Sequence, residues 1–176
     1  QRKHRNYQQN QTAILLMNFE QARADVQRWI TDFVEKPTPL LNGWPPCPYA
    51  RQARLQNRID IREGVHSPGA LATVTMESWD VIIYVYDPQC CDAQSFDQQV
   101  DQLNELYLLN RGIIALADHP NDPEEVQGVI MNQGQWALVF LQDLQKLNDA
   151  AQQLAAKGFY QGWPEPYLRR LFHHRQ

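Results

Sequence analysis

A chain of 176 residues is long enough for one domain with its own core and too short for several. Apolar residues make up 43% and charged residues 20%, a globular balance that excludes a disordered class, and the longest apolar stretches, 81–85 and 136–141, fall far below the roughly 20 residues of a membrane-spanning helix. A net charge of −4 excludes attraction of the whole surface to nucleic acid, and three cysteines, two of them adjacent, point to a reducing, cytoplasmic setting rather than a disulfide framework.

Residues 1–11 are polar and basic, with positive charge from Arg2 to Arg5 and glutamines behind it. They read as a flexible arm ahead of a single domain over 12–176. From Thr12 to Lys36 the residues Leu15, Phe19, Ala22, Val26, Trp29 and Phe33 recur at spacings of four and three, the stripe of an amphipathic helix. Pro37 and Pro39 end it. A proline-rich loop, 40–48, carries Trp44, and a short helix follows from Pro48 or Tyr49 to Leu55. The stretch 57–63 alternates as a half-buried strand. Ser67-Pro68 predicts a capped helix ending near Ser78, although its β-branched residues work against it.

The run 80–86 is apolar, β-branched and aromatic, as a central strand requires. Ser95 is placed to cap a helix whose Val100, Leu103, Leu106 and Tyr107 share a face and which Gly112 ends. The run 113–117 makes a buried strand, 136–142 a fourth, and Leu144, Leu147, Ala151 and Leu154 mark a helix closed by Gly158. Trp163-Pro164 opens a short helix in the tail. The expected fold is therefore α+β: a mixed, roughly four-stranded sheet packed by helices, with two parallel strands joined by a helix. A ferredoxin-like arrangement is one way to connect it.

Parallel strands bring their carboxyl ends to one edge, where ligands bind in open sheets. Two loops meet that condition, Asp87-Pro88-Gln89-Cys90-Cys91-Asp92 and Asp118-His119-Pro120-Asn121-Asp122. Carboxylates, thiols and an imidazole converging there would suit acid–base chemistry, with His119 as the base and Asp118 beside it, or a metal held by Asp87, Cys90, Cys91, His119 and Asp122. Asp-Pro and Asn-Asp pairs are also ordinary turn residues, which is the commoner role. Cys47 stands before a helix whose next turns carry Arg51 and Arg54. Dipole and guanidinium groups would favour a thiolate nucleophile there, whereas packing under Trp44 needs none of that.

The helix containing Arg28-Trp29-Ile30, followed by Cys47-Pro48-Tyr49-Ala50-Arg51 and then strand, helix and strand, is similar to an uncharacterised bacterial family carrying a Leu-Cys-Pro-Phe-Ala-Lys segment. The likeness covers about the first third of the chain. Pro46 stands for the leucine, Tyr49 for the phenylalanine and Arg51 for the lysine. It implies an ordered role for Cys47 and no particular activity.

The tail is dense in aromatic residues, Tyr160, Trp163 and Tyr167, next to Arg169 and Arg170. With Trp44 these form a candidate partner-binding set, although covering one end of the core would use the same residues. No phosphate loop, dinucleotide fingerprint, catalytic serine motif or strong metal spacing occurs, which favours an accessory role and leaves the cofactor unknown. The expectation is a small accessory protein, viral or bacterial, that docks on a larger protein partner. The alternative is a small metal- or thiol-dependent enzyme. Nucleic acid would be reached only through the basic ends.

Overall fold

The computed structural model describes residues 17–175. The expected arm, 1–11, and the first residues of the amphipathic stretch from Thr12 lie outside the described residues. Asn18 caps helix α1, Phe19–Trp29, by accepting a hydrogen bond from the Gln21 amide. This helix buries Ala22 and Val26, then widens into a π-type turn over Ile30–Val34 before the prolines. Helix α2, Ala50–Leu55, follows the proline-rich loop.

Glu35, at the end of the π-type turn, is buried and accepts two hydrogen bonds from Arg54 of α2, at 2.8 and 2.7 Å. The Arg54 hydrogen bonds hold the Glu35 carboxyl below its ordinary value of 4.5, against burial, which pushes the other way. A carboxylate whose pKa is depressed on folding stabilises the protein above its unfolded-state pKa, and that stability is lost as pH falls through the folded-state pKa. Glu35→Gln should therefore cost stability at pH 7, about 1–2 kcal/mol with Arg54 partly exposed to solvent, and the difference from the parent should close below pH 4.5. Urea unfolding at pH 7 and at pH 3.5 checks both.

The strands are β1 (Ile59–Glu63), β2 (Val81–Tyr86), β3 (Ile113–Asp118), the short pair β4 (Glu125–Val126) and β5 (Val129–Ile130), and β6 (Ala137–Asp143). Four of them form one mixed sheet in the order β1-β2-β6-β3, with β1 parallel to β2 and β6 antiparallel to both β2 and β3. The fold is thus α+β, with helices around that sheet. Strands β2 and β3 run the same way, as a helical connection leads one to expect, but β6 is inserted between them. That split β-α-β unit is the ferredoxin-like element. The fourth strand departs from that arrangement, because β1 enters from the amino-terminal side and pairs in parallel.

Helix α3 covers Ala93–Leu103, α4 Leu144–Ala156 and α5 Glu165–Leu171. The α3 cap is Asp92, not Ser95: its carboxylate accepts from the Ser95 amide and hydroxyl, both at 2.9 Å. An ionised acceptor at a helix start also gains from the dipole, which a serine does not. Ser67-Pro68 starts only a 3-10 turn, Pro68–Thr73, since Thr73, Val74 and Thr75 lose side-chain freedom in a longer helix. The β4–β5 hairpin lies in a stretch for which the sequence predicts no strand; its turn places Gln127 and Gly128 at φ 52° and 81°.

Alternation along the strands sends residues to two faces. On one, Ile82, Tyr86, Ala115 and Val139 meet Phe96, Val100 and Leu103 of α3. On the other, Ile61, Ile83 and Val85 meet Ala22 and Val26 of α1, and Trp136 Nε1 donates to Asp25 of α1 at 3.1 Å. A third cluster, away from both, joins Leu41, Val126, Val129, Leu154, Phe159 and Trp163.

Strand β3 is a sheet edge, and its exposed backbone groups need partners. Helix α3 passes into a second π-type turn, Asn104–Leu108. There the buried Asn104 side chain donates to the Ala115 carbonyl at 2.8 Å and accepts from the Ala115 amide at 2.7 Å. The amide group stands where a neighbouring strand would be.

Candidate functional site: a cleft along the edge of the sheet

Helix α1 covers the second face over β1, β2 and the amino end of β6, where Leu138 packs with Ala22 and Val26. The part of that face made by β6 and β3, with Phe140, Leu116 and Ile114, instead floors a cleft of about 830 Å³. It arises because α4, after leaving β6, buries Leu154 in the third cluster rather than lying flat on the sheet. One wall is built from Ile30, Phe33, Cys47 and Ala53, the other from Leu147, Ala150, Ala151 and Leu154. Tyr160, Trp163 and Tyr167 close one end. The volume lies within the range of pockets that take small organic molecules, roughly 300–1,000 Å³.

Polar groups gather where the cleft meets the carboxyl end of β3. Asp118 accepts from Asn132 Nδ2 at 2.9 Å and from the Gln133 amide at 3.1 Å. Burial nevertheless pushes its carboxyl above the ordinary range, and it does the same to Glu124. Arg170 of α5 lies 2.6 Å from Asp122 and 3.5 Å from both Asp97 and Glu124. Burial raises the Tyr167 phenol too, next to Glu124. One guanidinium serves three carboxylates, so this end of the cleft carries excess negative charge. Asn132 organises the loop behind it: its amide nitrogen faces Asp118, the His119 carbonyl and the Asp122 carbonyl, and its oxygen accepts from the Glu124 amide at 2.6 Å.

The sequence-predicted residues are distributed as follows. Asp118 and Cys47 line the cleft, but His119, Asp87, Cys90, Cys91 and Asp122 are not among its lining residues. His119 is buried, and its Nε2 lies 3.2 Å from the Pro88 carbonyl and 3.1 Å from the Cys91 carbonyl, while Nδ1 accepts from the Asn121 amide at 3.2 Å. Both ring nitrogens are thus occupied, with Nε2 carrying the proton, and the ring packs edge-on to Phe96. In this arrangement His119 staples the two strand-end loops together instead of presenting a free base.

Of the two roles open to Cys47 in the sequence, an acidified thiol and packing, burial opposes the first: it pushes the thiol up, and backbone hydrogen bonds from Tyr49 and Ala50 offset only part of that. Cys90 and Cys91 sit with their sulfurs 3.7 Å apart, and burial together with the neighbouring thiol pushes Cys90 to about 11. Asp87 accepts from the Gln89 amide at 2.9 Å, a turn role.

Of the expected partner-binding set, Tyr160, Trp163, Tyr167, Arg169 and Arg170 line the cleft. Trp44 packs edge-on against Phe159, ring centres 5.6 Å apart, in the third cluster. Arg169 pairs with Glu165 on the surface, and Arg175 binds Asn148 and the Leu147 carbonyl. The aromatic tail therefore faces inward. Sequence reasoning did not single out Asn104, Asn132 or Glu124.

No described helix is long and apolar enough to cross a membrane. No family model, curated protein or solved structure matches the chain.

Proposed function

We propose that the chain is a non-catalytic interaction module whose cleft receives an apolar or aromatic body bearing a cationic group. The observation that carries this is the cleft itself: about 830 Å³ floored by Ile114, Leu116 and Phe140, with acidic residues at one end. Apolar walls supply a non-directional driving force proportional to the area covered. The carboxylates that line this end fix orientation and select charge, because an anion would meet Asp97, Asp118 and Glu124 there. The aromatic side chains Tyr160, Trp163 and Tyr167 suit a cation, whose attraction to a ring face strengthens where water is excluded. A docking role on a larger protein takes a definite form in this reading: the partner offers a side chain or short segment of that chemistry.

The experiment is a fluorescence titration with a dansylated diamine, which is apolar at one end and cationic at the other. One saturable equivalent is expected. Ala150→Trp, which fills the cleft from the α4 wall, should abolish binding while leaving the circular dichroism spectrum unchanged. An anionic naphthalene sulfonate should bind at least tenfold more weakly. Equal binding of both dyes, or unchanged binding in Ala150→Trp, would sink the reading.

A further inference from the structure

Beyond the cleft reading, and independent of it, we infer that Asp101, His173 and His174 form a binding site for a divalent first-row transition metal of the zinc class. The three side chains come from elements distant in sequence, α3 and the segment after α5. One donor atom from each lies within 4.8 Å of the other two. His174 Nε2 is already 3.3 Å from Asp101 Oδ1. Donors on a tetrahedral zinc ion, 2.0–2.1 Å from it, are about 3.4 Å apart. The Asp101–His174 pair thus has the required spacing, and only the exposed His173 ring has to swing inward.

The backbone explains how adjacent histidines share one side. Neighbouring side chains in extended chain point apart, but His174 has φ 66°, in the left-handed region that is uncommon for a residue other than glycine. That turn brings the two imidazole rings to 3.9 Å between centres. Two imidazoles so close repel when both are protonated, and neutral rings beside a carboxylate make a borderline nitrogen–oxygen donor set. Arg175, the nearest cation in sequence, is directed away: its Nε donates to Asn148 and its ring-facing side stacks over Phe172 at 4.6 Å. His174 is only 12% exposed, so its ring is shielded, while Asp101 and His173 stay accessible to admit the ion. Three protein ligands leave a fourth position open toward the cleft, whose lining includes all three residues.

The test uses the full chain, stripped with chelator and dialysed, then titrated with cobalt(II) and back-titrated with zinc(II). One equivalent of cobalt should bind with visible d–d absorption and no thiolate-to-cobalt charge-transfer band, and zinc should displace it. Asp101→Asn and His174→Ala should each weaken binding at least tenfold. Far-UV circular dichroism and the urea unfolding midpoint, measured on the same variants, report that they are folded. A thiolate band would place the ion on a cysteine and overturn the proposal. So would the absence of a saturable site, or folded variants that bind cobalt as tightly as the parent.

Discussion

Asn104→Ala should lower stability by about 3 kcal/mol, because each hydrogen-bonding group left buried without a partner costs about 1–3 kcal/mol. Two backbone groups are orphaned at once, the amide and the carbonyl of Ala115. At this chain length the melting temperature should fall by roughly 6–12 °C. Asn104→Asp separates the two contacts. Its carboxylate still accepts from the Ala115 amide but turns a lone pair toward the Ala115 carbonyl, so the charged form is disfavoured and its folded-state pKa is raised. A raised folded pKa means that stability returns as pH falls, since only the protonated acid can donate to the carbonyl. The aspartate variant should therefore recover on Asn104 as the pH is lowered, whereas the alanine variant should not. Melting both variants and the parent between pH 7 and pH 4 decides this. Equal deficits at every pH would show that the side chain only fills space.

Gly64→Ala should be nearly as damaging, for a different reason. Gly64 follows β1 and continues the parallel ladder by donating to the Val85 carbonyl at 2.8 Å. A methyl group at Gly64 would fall on the ring of Tyr86. That ring cannot step aside: it is 2% exposed and packed edge-on against Phe96, centres 5.7 Å apart. Overpacking of this kind costs about 1–3 kcal/mol, at the upper end where the neighbour is itself confined. The check is a double-mutant cycle with Tyr86→Val, in which the alanine penalty should largely disappear. A penalty that persists with the small side chain would locate the cost in the backbone instead.

Legibility of the fold in the sequence followed how local each cause is. The continuous apolar, β-branched run of 81–86 and the Gly158 stop at φ 79° depend on neighbours in the chain, and the observed elements agree with them. The two π-type turns do not show in periodicity, because a widened turn shifts the apolar stripe by a fraction of a residue. Both turns bring a polar side chain to a partner far away, Glu35 to Arg54 and Asn104 to Ala115. In sequence, such an asparagine has the same letter as one in a surface loop.

The candidate site was legible in one respect. Carboxyl ends of like-directed strands were expected to gather chemistry, and Asp118 does end β3 at the mouth of the cleft. The cleft could not be read, since it exists only because α4 packs away from the sheet. Composition could not separate His119 as a staple from His119 as a base, as both roles need the same ring beside the same loops.

The third apolar cluster has a dynamic consequence. It draws on the loop around Leu41, the hairpin and the helices from Leu154 onward, and shares no buried residue with the two clusters on the sheet faces. Local opening follows the lines along which apolar contact is sparse, and the third cluster meets the sheet clusters through few side chains, Phe33 stacking on Trp29 among them. Amide hydrogens of α4 and α5 are therefore expected to exchange ahead of those of the four strands, and a ligand wider than the resting mouth would then enter without unfolding of the sheet.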